Sequence, residues 1–184
     1  MKRCLLFSLL VTCLSLVSCS KDEEDAFIAD TPRSEVPDEL VGQWLNGTFS
    51  MSNWWTYDGT YAGNPYSSSR AFTLHKDGSA EFFQVIKTYN GSCATEAFSY
   101  FKGTVDFNNN TQSFTFYPQR GNFRGFYSCS GESNFDRSPT KEELKPFTLY
   151  WNAESDSNDQ LWMVTRWNAG DPDSEASYFK PASW

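Results

Sequence analysis

The chain predicts an all-β domain, an antiparallel barrel or sandwich of eight or nine short strands, and three observations predict it. From Leu40 onward, apolar and aromatic residues alternate with polar ones at a period of two, the spacing that gives a strand one buried and one wet face. Aromatic and β-branched residues, the types that suit a pleated surface, dominate these segments. Turn chemistry punctuates them at short intervals, and a helical period is almost absent.

The elements follow in order. Val41, Gln43 and Leu45 alternate with Gly42, Trp44 and Asn46 in a first strand. Ala71 to His75 and Ala80 to Thr88 flank Lys76-Asp77-Gly78-Ser79, and Asp-Gly between two such runs is a strong hairpin signal. Phe98 to Phe107 turns through Asn108-Asn109-Asn110 into Gln112 to Tyr117, where Phe114 and Phe116 share a face. A weaker strand covers Asn122 to Cys129. Phe147 to Trp151 and Gln160 to Trp167 flank a turn over Glu154 to Asn158, and Tyr178 and Phe179 lie in a short terminal strand. One helical segment is expected, Pro139 to Lys145. Ser138 caps it, Pro139 takes the first helical position, and Glu142 and Glu143 sit near the positive end of the dipole.

Ahead of the strands, residues 1–18 have the parts of an export signal. Lys2 and Arg3 form a basic start, Cys4 to Val17 an uncharged apolar run, and Ser18 a small residue before a cut. The apolar run is shorter than the roughly 20 residues that span a bilayer. Leu16-Val17-Ser18-Cys19 resembles the bacterial lipobox. That resemblance implies cleavage before Cys19 and acylation of Cys19, with the acyl chains as a membrane anchor. Ser20-Lys21 followed by Asp22-Glu23-Glu24-Asp25 resembles the surface-export signal of Bacteroidetes lipoproteins. It implies the outer membrane of a Gram-negative bacterium, on its outer face. Residues 19–37, polar and punctuated by Pro32 and Pro37, read as the acylated cysteine and a flexible acidic tether. Residues 38–184 read as the folded domain.

Loss of Lys2 and Arg3 with the leader carries the formal charge from −8 to −10. An acidic chain repels phosphates, so nucleic acid is not an expected partner. With Cys4 and Cys13 removed and Cys19 acylated, Cys93 and Cys129 remain in an oxidising compartment. They form either one disulfide or two buried thiols.

Leu40-Val41-Gly42-Gln43-Trp44 resembles the Gly-x-Trp opening of lipocalin-like (calycin) proteins. Phe72 to Gly78, Tyr100-Phe101-Lys102-Gly103-Thr104-Val105 after Cys93, and Leu161-Trp162-Met163-Val164 are similar to segments of lipocalin-like Bacteroidetes lipoproteins. The resemblance implies an up-and-down barrel of about eight strands. It also implies that Trp44 closes the barrel base with Arg166 packed on it, and that a small or apolar ligand binds inside.

Catalytic and metal chemistry find little support. The single His, His75, sits beside a hairpin turn, and no nucleophile elbow or phosphate-cradling glycine loop occurs. Glu81, Glu96 and Asp106 lie in strands and read as outward-facing, which leaves a carboxylate-based hydrolase a distant third reading. Asp171-x-Asp173-x-Glu175 reads as a solvated turn rather than a calcium loop. No cofactor is expected. The remaining signal is aromatic: Trp54, Trp55, Tyr57, Tyr61 and Tyr66 cluster in a turn-rich stretch. Exposed, they form a ligand surface, and the alternative function is a glycan-binding or adhesion module.

Overall fold

The structure is a computed structural model that describes residues 27–48, 50–58, 69–170 and 175–184. The strands are β1 (Gly42–Asn46), β2 (Ser69–Leu74), β3 (Ser79–Asn90), β4 (Cys93–Asn108), β5 (Ser113–Tyr127), β6 (Phe135–Arg137), β7 (Phe147–Ser155), β8 (Leu161–Arg166) and β9 (Ser177–Ala182). One short helix, α1 (Met51–Thr56), follows β1. Every strand pairs antiparallel with its sequence neighbour around the ring β1-β2-β3-β4-β5-β7-β8-β9, and Gln43↔Ala182 to Leu45↔Lys180 close β9 onto β1. The closed ring decides between the two architectures: this is an up-and-down barrel of eight strands, with β6 added to the far half of β5.

The period-two pattern sorts side chains as expected. Trp44, Phe72, Leu74, Phe82, Val105, Phe114, Phe116, Leu149, Met163 and Phe179 face inward and are buried. Their rings meet across the lumen, between strands that are not neighbours. Phe72 meets Phe114 at 5.8 Å and Phe179 at 5.6 Å, and Phe82 meets Phe116 at 6.2 Å. The middle of the barrel is therefore occupied by phenylalanine, each fully buried ring contributing roughly 1.5–3 kcal/mol.

The Lys76–Gly78 hairpin forms as a three-residue loop. Gly78 N donates to His75 O, His75 N donates to Ser79 O, and Gly78 takes φ 80°, the left-handed position that glycine fills in such loops. Asp77 Oδ1 accepts from both Ser79 N and Ser79 Oγ. His75 is exposed, as expected.

Strand lengths depart from expectation. β5 is one strand where two were expected. A register shift between Lys102 and Gly103 keeps it paired to β4 throughout. Pro118, which has no N–H to donate, falls between the end of the β7 pairing at Phe116 and the start of the β6 pairing at Phe123. The far halves of β3, β4 and β5 run past their other neighbours as an arm that ends at the Cys93–Cys129 bridge.

Two further expectations are corrected. The Pro139–Lys145 helix is a single turn. Thr140 N donates to a Glu143 carboxylate oxygen, and Glu143 N returns the bond to Thr140 O. Pro146 disfavours helical geometry at Lys145, and the few residues between the two prolines cannot repay helix nucleation. The helix lies instead at α1, in the stretch read as turn-rich. The second correction concerns the tether. Residues 28–37 are docked, not free. Ile28 N donates to Gln119 O, Ser34 N to Val105 O and Val36 N to Lys76 O, and Ser34 Oγ accepts from Phe107 N. Val36 and Leu40 plug one mouth of the barrel. A Cβ on Gly78 would run into Ser34 O, so the hairpin glycine also makes room for this strap. The tether residues before 27 lie outside the described residues.

Candidate functional site

The aromatic cluster divides by one residue. α1 lies across the outer wall of β2 to β5, where Ala71, Phe83, Val85 and Phe98 form a second core outside the barrel. Trp54 points into it and is 0% exposed, edge-on to Phe83 at 5.4 Å and Phe98 at 5.8 Å. The Arg124 guanidinium covers its ring at 4.6 Å. Arg124 also donates to Trp54 O at 2.5 Å and Tyr57 O at 3.2 Å, so it satisfies carbonyls at the end of α1. The burial of Trp54 and this cap explain why so short a helix forms here. Trp54 is thus a core residue, not a ligand contact.

Trp55, the next residue, points out and is 53% exposed. Its ring stands edge-on to Tyr100 at 5.4 Å and Phe83 at 6.4 Å. Trp184, also substantially exposed, packs on Phe83 at 6.3 Å, and its backbone N–H donates to Gln43 Oε1. Tyr100 lies beside them, 4.9 Å from Phe83. Its hydroxyl donates to Glu81 Oε1 at 3.1 Å, and Lys102 Nζ stands 3.8 Å from the same carboxylate oxygen. Burial, with Glu81 beside it, pushes the Tyr100 phenol up to about 12, so it remains a donor at neutral pH. The result is a shallow platform: two exposed indoles hinged on one buried phenylalanine, with a phenol and a carboxylate at its edge.

The other expected residues fall elsewhere. Tyr57 stacks on Phe98 at 5.3 Å and meets Phe126 at 4.9 Å, filling the second core. Burial and a hydrogen bond with Glu96 raise its pKa. Tyr61 and Tyr66 lie outside the described residues, as do Cys19, Asp171 and Asp173. Glu81 is the carboxylate of the platform. Glu96, read as outward-facing, is buried against Lys87 Nζ at 2.8 Å. Burial works against the Lys87 charge, but hydrogen bonds to Glu96 and Tyr89 outweigh it and raise the Lys87 pKa.

The expected barrel base is only half assembled. Gly42 takes φ 138°, a value that favours glycine, where the chain enters β1. Trp44 is buried, and its Nε1 donates to Leu40 O at 2.8 Å. Arg166 does not stack on it. Met163 faces the lumen, so Arg166, three residues on, points to the opposite face and donates to Asn152 Oδ1. There it lines an open cleft of about 430 Å³ with Gln112, Tyr150, Trp151, Asn152 and Glu154. Val36 and Leu40 of the strap close the mouth instead. Cys93 and Cys129 are bonded, with S–S 2.04 Å and Cα–Cα 5.5 Å.

Sequence reasoning missed Tyr100, Trp184 and Glu81 as platform residues. Tyr100 faces Phe83 through the β3–β4 register, which no local pattern reveals. Trp184 follows the last strand and carries no periodic signal. Among the described residues no group of three or more His, Cys, Asp or Glu side chains is placed to hold a metal ion, and no helix is long and apolar enough to cross a membrane. No protein-family model matches this chain, and no curated protein matches it in sequence.

Proposed function

We propose that this is an exported lipoprotein, anchored through Cys19 to the outer membrane and facing outward, that binds glycans on the outer wall of a lipocalin-like barrel. The observation that carries the binding reading is the pair of exposed indoles, Trp55 and Trp184, both held against Phe83. Flat, half-exposed aromatic faces stack on the apolar faces of sugar rings while their polar edges hydrogen-bond. The Tyr100 hydroxyl and the Glu81 carboxylate supply donors and acceptors at the edge of that surface. A ligand inside the barrel is less favoured, because it would have to displace the phenylalanine contacts that cross the lumen.

The anchor reading rests on Leu16 to Cys19, and the address on the acidic run behind them. Protease shaving of intact cells tests the address: surface exposure predicts loss of the protein without lysis. Native electrophoresis through gels containing soluble polysaccharides tests the binding. Retardation of the wild type by at least one polysaccharide, relieved in the Trp55→Ala/Trp184→Ala variant, supports the platform. Equal mobility of both proteins in every gel counts against it.

A further inference from the structure

We propose a second binding site, for a small organic cation of the quaternary-ammonium type, in the cleft formed by Trp162, Tyr178, Glu154 and Asp156 on the outer face of β7, β8 and β9. The cleft has a volume of about 200 Å³ and is lined by Glu154, Ser155, Asp156, Trp162 and Tyr178. It is independent of the platform proposed above, since it shares no residue with it.

Three features select the ligand chemistry. The first is the wall. Trp162 and Tyr178 come from adjacent strands, and Tyr178 is half exposed. The face of an indole or phenol attracts a cation through the ring quadrupole, by roughly 0.5–2 kcal/mol according to how far the cation is desolvated. The second is the charge at the rim. Glu154 stands opposite Trp162 in the β7–β8 register. Among the described residues, neither Glu154 nor Asp156 forms an ion pair. Two carboxylates outside any ion pair, beside two aromatic rings, favour a positive ligand over a neutral or anionic one, and Arg166 is linked to Glu154 only through Asn152. The third is rigidity. Asp156 Oδ1 accepts from Asn158 N at 2.8 Å and Gln160 N at 3.0 Å, and Asp156 Oδ2 accepts from Trp162 Nε1 at 3.3 Å. These bonds fix carboxylate and indole relative to each other before any ligand arrives. The backbone N–H groups of Asn158 and Gln160 hold the Asp156 carboxyl below its ordinary range, so the charge is present at neutral pH. The Glu154 side chain is likewise held, by Asn152 Nδ2. The small volume suits a compact head group rather than a chain.

The test compares choline with its neutral isostere 3,3-dimethylbutan-1-ol on the intact protein, following the indole N–H resonances in a nitrogen–proton correlation spectrum. Choline is expected to shift the Trp162 indole, assigned by its loss in Trp162→Phe, and the isostere to leave it nearly unmoved. Trp162→Ala is expected to weaken choline binding by roughly 2- to 30-fold. Glu154→Gln keeps the aromatic wall and the acceptor oxygen that Asn152 Nδ2 uses but removes the charge, and is expected to weaken choline binding while leaving the melting temperature unchanged. Equal affinity for choline and the isostere would overturn the proposal, because the cleft would then be an apolar slot. Choline binding unaffected in the carboxylate variant, or absence of any shift at Trp162, would overturn it too.

Discussion

The lumen and the outer wall use aromatic residues in opposite ways. Inside the barrel the rings are almost all phenylalanine, which has no polar atom to satisfy, and Trp44 is admitted because its Nε1 reaches Leu40 O. Outside, under and around α1, Trp54, Trp55, Tyr57, Tyr100 and Trp184 join Phe83, Phe98 and Phe126, accompanied by Arg124, Glu96 and Lys87. A buried polar atom without a partner costs about 1–3 kcal/mol; the wall gives partners to the Tyr57 and Tyr100 hydroxyls, whereas Trp54 Nε1, like Trp151 Nε1 beside the lumen cluster, is buried without one. The consequence is a division of labour: the lumen holds the fold together, and the wall presents chemistry to the outside.

Substitutions that contrast the two regions sharpen this division. The largest losses are expected where a ring is fully enclosed. Phe114→Ala in the lumen and Trp54→Ala under the helix should each lose about 3–5 kcal/mol in denaturant unfolding. Trp55→Ala, one residue away, should stay within about 0.5 kcal/mol of wild type, as exposed substitutions do. If Trp55→Ala destabilised as much as Trp54→Ala, the inward and outward assignments would be wrong.

The arm should respond next. Cys93 and Cys129 are 36 residues apart, and reducing the bridge that closes that loop is expected to cost roughly 3–4 kcal/mol in the chain-entropy model. The bridge lies outside the closed ring, so hydrogen exchange after reduction should accelerate first at Glu96 to Ser99, with Phe114 to Phe116 remaining protected. Uniform acceleration would show that arm and barrel unfold as one unit. Gly78→Ala is expected to cost more than about 1 kcal/mol, because φ 80° is unfavourable for alanine and the new methyl meets Ser34 O. Protease cleavage near residues 28–37 should quicken with it, reporting release of the strap.

The smallest effect is electrostatic. Hydrogen bonds from Arg137 and from Thr140 N, with the Arg137 charge, hold the Glu143 carboxyl down from its ordinary 4.5 to about 2. A depressed carboxyl pKa stabilises the fold above its unfolded value, and that contribution is lost as pH falls from about 4.5 toward 2. Arg137→Met should flatten the fall in stability over that window. An unchanged profile would show that this exposed pair contributes nothing measurable.

Much of the fold was legible because it rests on local pattern. Alternation marked β1 to β4 and β7 to β9, Asp77-Gly78 marked a hairpin, and subtraction left Cys93 and Cys129 to pair. The strap was not legible, because Val36 sits in a polar stretch without a period, and Leu40, three residues beyond Pro37, reads as the start of the strand alternation. Their burial depends on a barrel mouth assembled from distant turns. The helix was misplaced because Pro139 and two glutamates signal a helix start locally, whereas α1 exists only through tertiary contacts with Phe83, Phe98 and Arg124. The candidate site was legible only as a cluster. Which of two adjacent tryptophans faces out is set by the wall beneath them.

The most direct test of the outer-wall reading uses the indole N–H resonances of the seven tryptophans. Trp44 reports the lumen, and Trp55 and Trp184 report the platform. Addition of an oligosaccharide fragment of a polysaccharide that retards the protein should shift the Trp55 and Trp184 resonances and leave Trp44 in place. A shift confined to Trp44, with Trp55 and Trp184 unmoved, would place the ligand inside the barrel and contradict the account.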